Sequence, residues 1–265
     1  MATGYTLNIG LNYVDSNHYG GSGRLASCEN DALKMREILR KLGFETNLLL
    51  TEHATRRNVY NTITNLANKA KKGDIVVISN SSHGSFIPDF NNDEKDGRDE
   101  TWCLFDAQLI DDEIHFLLCK FKLGVRILII TDSCHNKTIF KAFDAPLPEG
   151  TKTLEQDKSF EIFKRNKLFY ETILLNLEQQ SKKSCQASVI TLSACEDYQT
   201  AITGNPLSEF TQNLSLVWDN EKFTGSYNDF IAAIAKLTTS TERNPQISLS
   251  GKKDKNYNNQ KPFTI

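Results

Sequence analysis

Two apolar runs of this 265-residue chain end in side chains able to do nucleophilic chemistry. Ile75-Val76-Val77-Ile78-Ser79 leads into Ser81-Ser82-His83-Gly84, and Ile127-Leu128-Ile129-Ile130-Thr131 leads into Asp132-Ser133-Cys134-His135. A cysteine and a histidine displayed at one sheet edge can act as nucleophile and base: the imidazole takes the thiol proton and the thiolate attacks a carbonyl. A free thiol titrates near about 8.5, so the neighbouring base and its field decide the reactivity. Gly84, lacking a Cβ, permits close backbone approach and can offer an N–H to an oxyanion. If Cys134 faces such a site, its neighbour His135 points away along the extended chain, which assigns His135 to structure.

The elements that must position these residues alternate along the chain. Apolar runs at Tyr5 to Leu11, Phe44 to Leu50, Ile75 to Ser79, Val125 to Thr131 and Ser188 to Leu192 read as buried strands. Between them, Arg24 to Leu42, Thr55 to Ala70 and Asp111 to Phe121 carry helical spacing, with further helices near Ser208 to Trp218 and Tyr227 to Leu237. Trp102 to Phe105 reads as a short strand after an acidic loop, Pro88 to Glu100, and Gln246 to Leu249 as extended. Near-continuous apolar strands alternating with amphipathic helices predict an α/β fold, a mostly parallel sheet covered on both faces. In such sheets, sites form beyond the carboxyl ends of the strands, where His83 and Cys134 fall.

Composition narrows the function. The chain is 39% apolar and 24% charged, the balance of a globular protein. Lys+Arg 31 against Asp+Glu 33 leaves no positive field to recruit nucleic acid or an anionic membrane. No apolar run approaches the roughly 18 to 20 residues that span a bilayer, and the N-terminus lacks a leader pattern, so a cytoplasmic protein is expected. Six scattered cysteines without a C-x-x-C pair read mostly as reduced, buried thiols. The length suggests one domain over residues 1–250, interrupted by a charged helical linker at 140–186 and followed by a Lys- and Asn-rich, frayed tail at 251–265.

Eight ordered blocks carry a resemblance. They are Ile9-Gly10-Leu11-Asn12-Tyr13, Leu25-Ala26-Ser27-Cys28-Glu29-Asn30-Asp31-Ala32, Lys72-Gly73-Asp74 leading to Ser81-Ser82-His83-Gly84, and Asp96-Gly97-Arg98-Asp99-Glu100. Ile110-Asp111-Asp112-Glu113, Asp132-Ser133-Cys134-His135, Ser193-Ala194-Cys195-Glu196-Asp197-Tyr198-Gln199-Thr200 and Pro245-Gln246-Ile247-Ser248 complete them. Together with a His-to-Cys separation of about 50 residues, they make the chain resemble the metacaspase-type, caspase-like cysteine peptidases.

That resemblance implies a three-layer α/β/α sandwich and a specific division of labour. Cys134 would be the nucleophile, His83 the general base and acid, and the N–H groups of Cys134 and Gly84 the oxyanion donors. Asp31 and Asp132, with Cys28 and Ser81 alongside, would form an acidic pocket for the residue before the scissile bond, which implies protein or peptide substrates cleaved after Arg or Lys. The chemistry requires no cofactor, while Asp99, Asp111 and Asp112 match calcium positions of calcium-activated members. A further family ligand falls near Lys141, where a cation argues against the same site, and Asn136-Lys137 replaces the usual Ser-Gly after the nucleophile.

The 140–186 segment holds Lys152, Lys158, Lys164, Arg165, Lys167, Lys182 and Lys183, so an enzyme cutting after basic residues can cut itself there. Control would otherwise come from an ion or from an activating or inhibitory protein, and a monomer is expected. The alternatives are a catalytically silent interaction module of the same fold, and a relative with another specificity, for which Asp31 and Asp132 discriminate.

Overall fold

The computed structural model describes residues 1–89, 97–133, 150–179, 184–195, 201–239 and 243–265. In chain order the elements begin with β1 (Gly4–Gly10), α1 (Ser16–Tyr19), α2 (Cys28–Lys41), β2 (Glu45–Leu50), α3 (Arg56–Lys69) and β3 (Ile75–Ser81). They continue with β4 (Gly84–Pro88), β5 (Arg98–Cys103), β6 (Gln108–Ile110), α4 (Asp111–Leu118) and β7 (Arg126–Thr131). After these come α5 (Gln156–Arg165), α6 (Lys167–Gln179), β8 (Ser188–Ser193), α7 (Glu209–Trp218), α8 (Tyr227–Leu237), β9 (Gln246–Gly251) and α9 (Lys255–Asn259).

Six strands form the main sheet in the order β2-β1-β3-β7-β8-β9, parallel throughout except for the antiparallel edge strand β9. Successive residues of each central strand face opposite layers, and both layers are apolar. Leu7, Ile9, Val76, Ile78, Ile127 and Ile129 pack with Val59, Ile63 and Leu66 of α3 and Leu117 of α4. On the other face, Ile75, Val77, Leu128, Ile130, Ile190 and Leu192 meet Met35 and Leu39 of α2, Phe210 and Leu214 of α7, and Phe230 and Ile234 of α8. Two buried faces explain why these strands read as unbroken apolar runs. The result is the expected three-layer α/β/α sandwich.

Several features depart from the sequence reading. A second, antiparallel sheet, β4-β5-β6, was not anticipated beyond one short strand. The described part of the helical linker expected at 140–186 holds two helices broken at Asn166, whose side-chain amide donates to the Ile162 carbonyl. The tail expected to fray instead folds back: Tyr257 and Phe263 are buried in the second core, and Arg126 donates to the Thr264 carbonyl and the Gln260 side chain. Cys28, Cys103, Cys119 and Cys185 are free thiols.

The chain leaves β1 for β2 on one side and returns to β3 on the other, which opens a crevice at the carboxyl ends of β1 and β3. The first turn of α2 forms one wall of it. Gly10, the last residue of β1, allows that approach, because a Cβ there would lie 2.2 Å from the Cys28 carbonyl oxygen. Gly10→Ala must therefore push α2 off the sheet, and is expected to cost about 3 kcal/mol and to lower Tm by roughly 6 to 12 °C. A thermal scan of this variant that matches wild type would contradict the packing argument.

Candidate active site

β3 ends at Ser81, and after a two-residue bend the chain starts β4 at Gly84, so His83 sits at the mouth of the crevice. Its ring is only 7% exposed. Nε2 lies 2.9 Å from the Gly23 carbonyl oxygen. A carbonyl only accepts, so Nε2 carries the proton and Nδ1 keeps its lone pair. Nδ1 is buried and has no hydrogen-bond partner among the described residues. Burial pushes the imidazole down to about 4, against the raising effect of the Gly23 carbonyl. At neutral pH the ring is thus an uncharged base with a fixed tautomer. Gly23 makes the contact possible: its φ is +51°, and a Cβ there would come within 3.1 Å of Nε2. Cys134 and His135 lie outside the described residues, just beyond Ser133.

The four pocket residues expected from sequence do come together, and a fifth, unexpected one lies among them. The Lys152 ammonium sits 3.1 Å from Asp31 Oδ2, 3.1 Å from Asp132 Oδ1 and 2.9 Å from Ser81 Oγ. Its side chain has no solvent exposure. Asp31 reaches this point from the first turn of α2 and Asp132 from the residue after β7, while Ser81 also donates to Asp31 Oδ2 at 2.8 Å. Behind the carboxylates, the Ser208 N–H donates to Asp31 Oδ1 at 2.9 Å and its hydroxyl donates to Asp31 Oδ2. Thr211 Oγ1 donates to Asp132 Oδ2 at 2.9 Å. Ser27 Oγ joins the cluster 2.8 Å from Ser208 Oγ.

Burial opposes every charge here. It works against the Lys152 ammonium, but Asp132, Cys28 and Asp31 outweigh it and hold the amine well above the usual lysine range. Asp132 is raised by burial and by Asp31, with Lys152 pulling the other way. Burial pushes the Cys28 thiol up to about 11, so it lines the pocket as a neutral group.

The backbone of Lys152 is held as firmly as its side chain. Thr151 and Thr153 form single bridges to two edges, with a bend at Lys152 between them. The Lys152 N–H donates to the Ala201 carbonyl at 2.9 Å, and the Lys152 carbonyl accepts the Gly84 N–H at 3.0 Å. Leu154 N–H then donates to the Gly84 carbonyl at 3.0 Å, giving a parallel bridge between Gly84 and Thr153. The linker helices that follow are docked on the small sheet: Ser85 Oγ donates to Ser159 Oγ at 2.9 Å, Phe86 and Phe160 meet edge to face, and Arg98 lies 4.2 Å over the Phe86 ring. On α6, buried Tyr170 contacts His18 Nε2 at 2.7 Å and accepts the Gln108 N–H.

Comparison with known proteins places the chain in a family. The family model described as Caspase domain matches residues 13–257. The chain belongs to that family. Metacaspase-1 of Schizosaccharomyces pombe is 32% identical over 161 residues, which cover 55% of this chain and 36% of that protein. Metacaspase-4 of Arabidopsis thaliana is 31% identical over 161 residues, covering 57% and 37%. The chain thus spans a little over a third of the length of these curated relatives. The crystal structure of protein GSU0716 from Geobacter sulfurreducens superposes with a TM-score of 0.88 at 38% identity, covering 99% of both chains. Over the matched 161 residues the chain is similar to these metacaspases.

In this caspase-domain chain the sequence reading missed Lys152, Gly23, Ser27, Ser208 and Thr211 as parts of the site. The acidic residues expected to bind calcium fare differently. Among the described residues, no group of three or more His, Cys, Asp or Glu side chains is arranged to hold a metal ion. Asp93, Glu94 and Asp96 of the same loop lie outside the described residues. Asp99, Asp111 and Asp112 are nevertheless close enough to repel: Asp111 is pushed up to about 8, first by burial and then by Glu100, Asp99 and Asp112. No helix among the described residues is long and apolar enough to cross a membrane.

The raised Asp111 has a consequence for stability. The folded state holds a proton on this carboxyl up to about pH 8, whereas the unfolded chain releases it near about 3.9. The folded state binds more protons between these limits, so wild type loses stability as pH rises through the window. Asp111→Asn removes that loss. The difference in Tm between the variant and wild type should grow from pH 5 to pH 8 in favour of the variant; a constant or shrinking difference would contradict the assignment.

Proposed function

We propose that the chain is a cysteine endopeptidase that cleaves after lysine or arginine and holds itself latent by lodging Lys152 in its own specificity pocket. The observation that carries this reading is the buried Lys152 ammonium, 3.1 Å from each of two carboxylates, whose backbone carbonyl accepts the Gly84 N–H. A residue held in this way resembles the residue before a scissile bond: side chain in the acidic pocket, N–H paired, carbonyl on an oxyanion donor. Two carboxylates facing one point attract a cation and repel Asp or Glu, since an unpaired buried charge costs several kcal/mol.

On this reading the Lys152–Thr153 bond is the first substrate. His83 Nδ1 takes the Cys134 thiol proton, and the thiolate attacks the Lys152 carbonyl carbon while the Gly84 N–H stabilises the oxyanion. The C–N bond to Thr153 breaks as His83 returns the proton to the departing amine. Water, deprotonated by His83, then hydrolyses the thioester, freeing the Lys152 carboxylate and the Cys134 thiol. The pocket empties once the new terminus leaves it, and peptides with a basic residue before the scissile bond enter in its place.

The test begins with the purified chain under reducing conditions. Mass spectrometry is expected to find a new N-terminus at Thr153. Cys134→Ala and His83→Ala should lose this cut, with turnover of a basic peptide reduced by roughly four orders of magnitude or more. Lys152→Ala should lose the cut at that bond while keeping peptide turnover. Fluorogenic peptides ending in Lys, Arg, Asp or Asn are assayed with and without millimolar calcium, which also decides whether the ion matters to activity. Fragments identical in Cys134→Ala, or turnover of the Asp peptide alone, would overturn the reading.

A further inference from the structure

The metacaspase-type pocket as a whole is read above as taking either basic residue; its interior makes a narrower choice. The Lys152 Nζ donates to Asp31 Oδ2 at 3.1 Å and to Ser81 Oγ at 2.9 Å, and forms an ion pair with Asp132 Oδ1 at 3.1 Å. Its side chain has no solvent exposure. The remaining carboxylate oxygens face away from the cation and are engaged. Asp31 Oδ1 accepts the Ser208 N–H, and Asp132 Oδ2 accepts the Thr211 hydroxyl, both at 2.9 Å. Each carboxylate therefore presents one oxygen to a substrate. Ser27, Ser208 and Thr211, all buried, close the space behind.

A guanidinium needs something else. It carries five N–H groups in a rigid plane and pairs best with both oxygens of one carboxylate. In this pocket the second oxygen of each acid is already bonded to α7 or its cap, and no water reaches the leftover donors. Unmatched buried donors are costly, and a compact ammonium brings three where a guanidinium brings five. We propose that Ser208 and Thr211, by blocking bidentate pairing, make this a lysine site that discriminates against arginine. The inference rests on the peptidase reading only for its kinetic consequence; the pocket's preference for its own Lys152 can be measured without catalysis.

Two measurements test it. In the Cys134→Ala background, where no cut intervenes, Lys152→Arg should lower Tm by roughly 4 to 8 °C. A Tm within about 1 °C of the Lys152 protein would overturn the proposal. With the self-processed wild-type chain, a matched peptide pair differing only in Lys or Arg before the scissile bond should show kcat/KM at least about tenfold higher for Lys. Thr211→Val, which frees Asp132 Oδ2, should narrow that ratio through a lower KM for the Arg peptide. Equal or better cleavage of the Arg peptide by wild type would overturn the proposal while leaving the peptidase reading intact. Turnover of neither peptide would sink the peptidase reading instead, and the thermal comparison would then decide the pocket.

Discussion

The arrangement turns on one buried ammonium between two buried carboxylates. None of the three charges is tolerable alone in a pocket closed to solvent, since removing one partner of such a set typically costs about 3 to 5 kcal/mol. With Lys152 absent, Asp31 and Asp132 would face each other across a dry space, and Asp132 is already raised by burial and by Asp31. The pocket thus demands a cation. On the proposed reading, that single demand would give both a preference for basic residues and the retention of the chain's own lysine, so that specificity and latency would be one interaction.

The remaining contacts direct that demand to one residue. Lysines are common in the linker, but Lys152 alone among its described lysines lies outside the helices, its backbone paired on one side to Gly84 and on the other to Ala201. The helices that follow are pinned by apolar contacts of Ile162, Phe163 and Tyr170, so the approach angle is set before the side chain enters. A surface lysine pays rotamer entropy to find a partner. Here the backbone on both sides is already fixed, which lowers that cost. The same bonds orient the Lys152 carbonyl toward the Gly84 N–H.

Much of this was legible in the amino-acid sequence, for a physical reason. Strands buried on both faces are apolar throughout, so β1, β3, β7 and β8 could be read within a residue or two, and with them the edge to which His83 belongs. Asp31 was legible as a pocket residue through its block rather than through its helix, where it looks like an ordinary acid in a first turn. The small sheet was harder: β5 begins Arg98, Asp99, Glu100, and charged residues on a short strand mimic a loop. The tail misled by composition, because its Lys and Asn residues outnumber Tyr257 and Phe263, the two that anchor it. Lys152 could not be told from Lys158 or Lys164 by type. The usable signal was conformational: Thr151 and Thr153 flank it, β-branched residues that favour extended chain, whereas the other two lie in helical spacing.

The pocket also explains why its chemistry cannot be read from any one segment. Asp31 comes from the helix after β1, Ser81 from the end of β3, Asp132 from the end of β7, and Ser208 and Thr211 from the cap and first turn of α7, far along the chain. Ser208 shows the coupling. As the residue before α7 it would ordinarily cap that helix with its hydroxyl, but it makes no such bond. Its N–H and hydroxyl both turn to Asp31 instead. A cap forgone in one half of the chain thus holds a carboxylate contributed by the other, and the cluster exists only when both halves are folded together.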